Sequence, residues 1–156
     1  MAGYSPKSLV DKLGLKAVRK DGQGRKALFI SSPPDYAATL GKLPPLAIKI
    51  EATAAQAVSK TIAKKSPFDF IQAFRREDAE LAKLFPAIKA MLAFDGMVWI
   101  SWPKQIKGGK SPGPNALNEA GVRETGLKTG LVDVKVCAVD ETWSGLKFMY
   151  RVKDRP

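Results

Sequence analysis

Apolar and polar positions alternate most clearly near the end of the chain. In the stretch 130–151, Val132, Val134, Val136 and Ala138 fall on one face, with Asp133, Lys135 and Cys137 on the other. Leu146, Phe148, Tyr150 and Val152 repeat the alternation, opposite Lys147, Met149 and Arg151. A period of two marks strands with one apolar face. The stretch is therefore expected to be a β-hairpin, closed by Asp140-Glu141-Thr142-Trp143-Ser144-Gly145. Upstream, Ala27-Leu28-Phe29-Ile30 is a continuous apolar run, as in a strand covered on both faces. Leu46 to Glu51, Phe68 to Phe74 and Met97 to Trp102 read as three more strands.

Helical periods lie between these runs. Leu81, Leu84, Phe85, Ile88, Met91 and Leu92 make an apolar stripe over 76–94, in which Pro86 should kink or divide the helix. Asp95-Gly96 then reads as a turn. Ser5 and Pro6 are a candidate start for a first helix, with Leu9, Val10 and Leu13 on its apolar side and Gly14 as its stop. A short helix is expected from Pro34-Asp35-Tyr36 to Leu40, and Asn118 should cap another from Glu119 to about Lys128. The alanine-rich stretch 52–65 is expected to be one helix, weakened by Thr53, Ser59 and Thr61.

Strands alternating with helices imply a single α/β domain over 1–156. The expected architecture is a three-layer, Rossmann-like sheet of about six strands, mostly parallel and ending in an antiparallel hairpin. In such sheets ligands sit off the carboxyl ends of the strands. That rule gathers Ser31, Ser32, Glu51, Arg75, Lys104, Asp140 and Glu141 onto one rim, and the hairpin turn should bring Trp143 there beside Trp102.

Composition narrows the chemistry. The 156 residues contain no histidine, which excludes a Ser-His-Asp triad, a Cys-His pair and any histidine-held metal, and no metal site is expected. One cysteine, Cys137, cannot form an internal disulfide and fits a reducing, cytoplasmic setting. No apolar run is long enough for a membrane span, no membrane partner is expected, and the start MAGYSPKSLV does not resemble a signal peptide. The formal net charge is +11, which favours acidic partners, either an anionic small molecule or nucleic acid. Arg75, Arg76, Lys107 and Lys110 are the candidate phosphate contacts.

The order of elements resembles a class I methyltransferase, and Leu92-Ala93-Phe94-Asp95-Gly96-Met97-Val98-Trp99-Ile100 is similar to the stretch leading those enzymes into their fifth strand. The resemblance implies that Glu51, ending the second strand, stands where such enzymes keep an acid for the cofactor ribose. It also implies one strand fewer than they have. After the first strand those enzymes have a glycine-rich loop, where this chain has Ser31-Ser32-Pro33-Pro34. Proline lacks an N–H, fixes φ and fills the space that glycine leaves open. No cofactor is therefore expected.

The chain also resembles a bacterial family of small proteins known as domain of unknown function 3052. The likeness is carried by Tyr4-Ser5, Lys12-Leu13-Gly14, the run Trp99 to Lys104 and the long run Thr129 to Phe148. That family name implies a fold and no activity.

Three readings follow from these residues. One is a non-catalytic binding protein whose ligand rim comprises Ser32, Trp102, Lys104, Asp140, Glu141 and Trp143. There Trp143 would offer a stacking face and Lys104 a charge; the plainer alternative is a corner in which Asp140 serves the turn and Trp143 plugs the sheet end. The others are a sequence-independent nucleic-acid binder and a divergent S-adenosylmethionine-dependent methyltransferase.

Overall fold

The computed structural model describes residues 8–15, 24–105 and 115–156. Ser5, Pro6, Lys107 and Lys110 lie outside the described residues. The strands are β1 (Lys26–Ile30), β2 (Ile48–Ala52), β3 (Phe68–Phe74), β4 (Leu92–Pro103), β5 (Leu131–Ala138) and β6 (Trp143–Tyr150). The helices are α1 (Leu9–Leu13), α2 (Tyr36–Leu40), α3 (Ala54–Ala57), α4 (Lys60–Ala63), α5 (Asp78–Met91) and α6 (Glu119–Lys128).

Every residue of β3 is buried, including Asp69 and Gln72 among its apolar residues, and it lies inside the six-stranded sheet, whose order is β2-β1-β3-β4-β6-β5. β1 pairs parallel with β2 and β3, and β3 pairs parallel with β4. β6 runs antiparallel to both β4 and β5. Alternate residues feed two cores. Val98 and Ile100 join Leu81, Phe85, Val122 and Phe148 on the α5–α6 side. Met97 and Trp99 join Leu13, Phe29 and Tyr36 on the α1–α2 side.

Several local expectations are corrected. Pro86 does not divide α5, which runs unbroken from Asp78 to Met91. Pro86 and Ala82 both lie on its exposed side, where water can take the carbonyl that loses its amide partner. Asp95-Gly96 is an irregularity within β4, because the register to β3 jumps from Phe68↔Leu92 to Phe70↔Met97. A Cβ on Gly96 would stand 3.0 Å from the carbonyl oxygens of Phe68 and Asp69, so only glycine lets the strands approach there. The stretch 52–65 forms two helices. Thr53 caps α3 in a capping box with Gln56, and the Ser59 side chain accepts from the Ile62 N–H to start α4. The hydroxyls that weaken one long helix serve better as the starts of two short ones.

The largest correction concerns the hairpin. Between Asp133 and Lys135 the register against β6 slips, so Asp133 faces Phe148 and Lys135 faces Lys147. The bulge reverses the alternation beyond it. Val134 and Val136 are 48% and 44% exposed, and the expected continuous apolar face is absent. β5 is an edge strand, so it carries less of the core than its sequence suggests. Val152 also leaves the sheet, in the 3-10 turn Val152–Asp154.

Candidate functional site

Chain order makes a switch point beside β1. From β1 the chain goes to β2 on one flank and then to β3 on the other, and in open α/β sheets the crevice outside such a point is where ligands bind. Ser31 and Arg75 flank it. Ser31 follows β1 with a left-handed φ of 56°, unusual outside glycine, and its N–H donates to the Ala52 carbonyl at 2.8 Å. Arg75 follows β3. Its Nε donates to the Phe74 carbonyl at 2.8 Å, its Nη2 to Ser31 Oγ at 3.4 Å, and its Nη1 pairs with Glu80 at 3.4 Å. The Oγ of Ser32 is buried with no hydrogen-bond partner among the described residues.

On the α1–α2 side the rim is filled by aromatic rings. Tyr36 meets Phe74 edge-on at 4.8 Å, and Phe74 meets Trp143 at 5.1 Å and 90°. Such edge contacts suit the ring quadrupoles. The Arg76 guanidinium lies 5.0 Å above the Trp143 ring. The Tyr36 hydroxyl donates to Gln72 Oε1 at 2.6 Å, and Gln72 Nε2 donates to Ser101 Oγ at 3.2 Å. Gln72 and Ser101 are fully buried, so this polar chain satisfies groups that water cannot reach. Burial pushes the Tyr36 phenol up; the Gln72 bond works against that, and nearby Asp140 and Cys137 add to it.

Beside Glu51 the space is small. Glu51 lies opposite Phe29 in the sheet, and the gap bounded by Phe29, Tyr36, Leu40, Leu43, Lys49 and Glu51 measures about 70 Å³. On the other sheet face, a cleft of about 380 Å³ lies between α3 and the first half of α5. Ala54, Ala55, Val58 and Leu84 give it apolar walls, and Arg75 contributes to it from the switch point.

The residues singled out from sequence do not form one cluster. Trp143 pairs across the strands with Pro103, while Trp102 pairs with Ser144, so the two indoles point to opposite faces. Trp102 belongs to the α5–α6 core and Trp143 to the α1–α2 core. Asp140 Oδ1 accepts from the N–H groups of Thr142 at 2.8 Å and Trp143 at 2.7 Å. The Lys104 N–H donates to the Thr142 carbonyl at 2.7 Å, which ties the end of β4 to the turn. Glu141 is exposed. The cleft at α3 and α5 is not visible in the sequence, where the stretch 52–65 looks like one long helix; Arg75, at a carboxyl end beside a chain reversal, is the available signal. Among the described residues no group of three Cys, Asp or Glu side chains could hold a metal, and no helix is long and apolar enough to cross a membrane.

No family model and no curated protein matches the sequence. Solved structures do. Magnesium protoporphyrin IX methyltransferase from Synechocystis with bound S-adenosylmethionine aligns over 92% of this chain and 74% of its own, at 11% identity and a TM-score of 0.55. A TehB-like S-adenosylmethionine-dependent methyltransferase from Corynebacterium glutamicum aligns over 96% and 91%, at 12% identity and 0.54. Ribosomal protein L11 methylase from Lactobacillus delbrueckii aligns over 92% and 76%, at 12% identity and 0.55. Two other matches, the Synechocystis enzyme with its demethylated cofactor product and LepI with S-adenosylmethionine, align over 52% and 39% of their own length, so the chain spans about half or less of those proteins. At these identities the likeness establishes the fold alone: a methyltransferase-like, Rossmann-type mixed sheet that is mostly parallel and ends in an antiparallel hairpin.

Proposed function

We propose that this chain is a non-catalytic binding protein on a methyltransferase-like scaffold, taking an anionic small molecule at its carboxyl rim and no S-adenosylmethionine. The observation that carries this reading is the gap of about 70 Å³ beside Glu51. Small-molecule sites measure about 300–1,000 Å³, so a nucleoside has no room there without movement of α2. Tyr36 supports the reading: its ring sits against Phe74, and its hydroxyl is bonded to Gln72. Withdrawing that ring would strand a buried polar chain. Pro33 and Pro34 supply no N–H to a ligand in the turn where the enzymes' glycines stand. The basic excess supports an anionic ligand. The run Thr129 to Phe148 supports kinship with domain of unknown function 3052, and with it a bacterial cytoplasmic setting and a single domain over 1–156.

Thermal denaturation with added cofactor tests the proposal. A ligand present at about 100 times its dissociation constant stabilises the folded state by about 2.7 kcal/mol. No shift in melting temperature is expected with S-adenosylmethionine or its demethylated product. A shift of several degrees with either would favour the divergent-methyltransferase reading.

A further inference from the structure

We infer that the cleft between α3 and α5 is a binding site for a small monocarboxylate with a short apolar body. This deepens the binding-protein reading by giving the anionic ligand a place and a chemical class. The cleft, about 380 Å³, falls within the range of small-molecule sites and lies across the sheet from the filled space beside Glu51. Its walls are mainly carbon, from Ala54, Ala55, Val58 and Leu84. Val58 is 58% exposed, an apolar residue that a ligand would cover.

The charge is positioned in advance. The Arg75 side chain is 18% exposed and is held by Phe74, Ser31 and Glu80. Those three contacts engage three donors, leaving roughly two of the five N–H groups of a guanidinium for a ligand. A planar fork with two donors matches a carboxylate. Lys83 also lines the cleft, and with Arg75 and Glu80 it leaves one net positive charge there. That balance suits a monoanion; a phosphate dianion would meet Glu80 without enough compensating charge. Glu80 is already paired with Arg75, so an amino acid's ammonium would have to compete for it, and the second carboxylate of a diacid would exceed the single net positive charge, so either fits less well.

The test is a solution titration of the full chain, followed by backbone amide resonances, with sodium hexanoate as the probe and 1-hexanol and hexylamine as controls. Hexanoate should give saturable shifts centred on Ala54, Ala55, Val58 and Leu84, with a dissociation constant on the order of 1 mM for so small a ligand. Hexanol should bind at least roughly tenfold more weakly and hexylamine not at all, because only the carboxylate can use the guanidinium. Ala55→Trp, at an exposed position, should block the cleft and abolish the shifts while the rest of the spectrum stays in place. Arg75→Lys should weaken hexanoate about tenfold by removing the fork while keeping the charge. Equal binding of hexanoate and hexanol, no saturation with hexanoate up to about 20 mM, or shifts that persist in Ala55→Trp would each overturn the inference. Because the melting experiment with S-adenosylmethionine does not involve this cleft, failure of one reading is distinguishable from failure of the other.

Discussion

Replacing Trp143 separates a packing role from a ligand platform. The indole is 6% exposed, meets Phe74 edge-on at 5.1 Å and lies 5.0 Å beneath the Arg76 guanidinium. Truncating a buried tryptophan to alanine costs about 3–5 kcal/mol, combining lost transfer energy and a residual cavity. Within that total, the edge contact with Phe74 is worth about 0.5–1.5 kcal/mol, and the cation above the ring about 0.5–1 kcal/mol at an exposed site. Arg76→Ala should therefore cost at most about 1 kcal/mol, and Trp143→Phe should fall between that loss and the full truncation. Urea denaturation followed by circular dichroism gives each value. With a slope of about 2 kcal/mol per molar, Trp143→Ala should lower the midpoint by roughly 1.5–2.5 M. A loss below about 1 kcal/mol, in the range of minor surface changes, would refute the packing role and make Trp143 a place to look for a ligand.

Other outcomes follow from the same packing. The Tyr36 phenol is pushed up from its ordinary 10.0, chiefly by burial, so the stability it contributes is intact below about pH 10 and declines as pH climbs past that value. Denaturation at pH 8 and pH 11 should show the loss, and Tyr36→Phe should reduce it while costing about 1–3 kcal/mol at pH 8 by leaving Gln72 Oε1 unpaired; an unchanged pH dependence in the variant would contradict the assignment. Gly126→Ala should destabilise by about 1–3 kcal/mol despite alanine's better helix propensity, because its Cβ would stand 2.1 Å from the buried Phe148 ring; a stabilised variant by thermal melting would show that the ring can move. Nucleic-acid binding in gel-shift titrations should be weak, indifferent to sequence and lost by roughly 0.2 M salt, whereas tight binding to one sequence at that salt would point to a base-reading element.

Elements whose sequence pattern matches their burial were legible. β3 is mostly apolar and buried throughout, and α6 starts where Asn118 Oδ1 accepts from the Gly121 N–H. Even the short α2 ends as expected, with Gly41 at a left-handed φ of 80°. The misreadings have physical causes. A bulge is one residue of slip, and Val132, Val134 and Val136 look the same with or without it, although it turns half the strand over. Thr53 and Ser59 have low helix propensity wherever they stand, and only the fold makes them caps. The rim was placed by topology, but which face each indole takes depends on register. Trp102 and Trp143, close in the folded sheet, therefore look like partners and are not.

The central claim is that the cofactor seat of this scaffold is filled by the chain's own side chains. Titration calorimetry of the full chain with S-adenosylmethionine tests it most directly, because it reads binding whether or not a methyl group moves. The gap beside Glu51 is about 70 Å³ and Tyr36 is tied to Gln72, so only heats of dilution are predicted. Saturable binding with a dissociation constant in the low micromolar range, roughly −8 kcal/mol, would contradict the account and show that α2 moves to admit the cofactor.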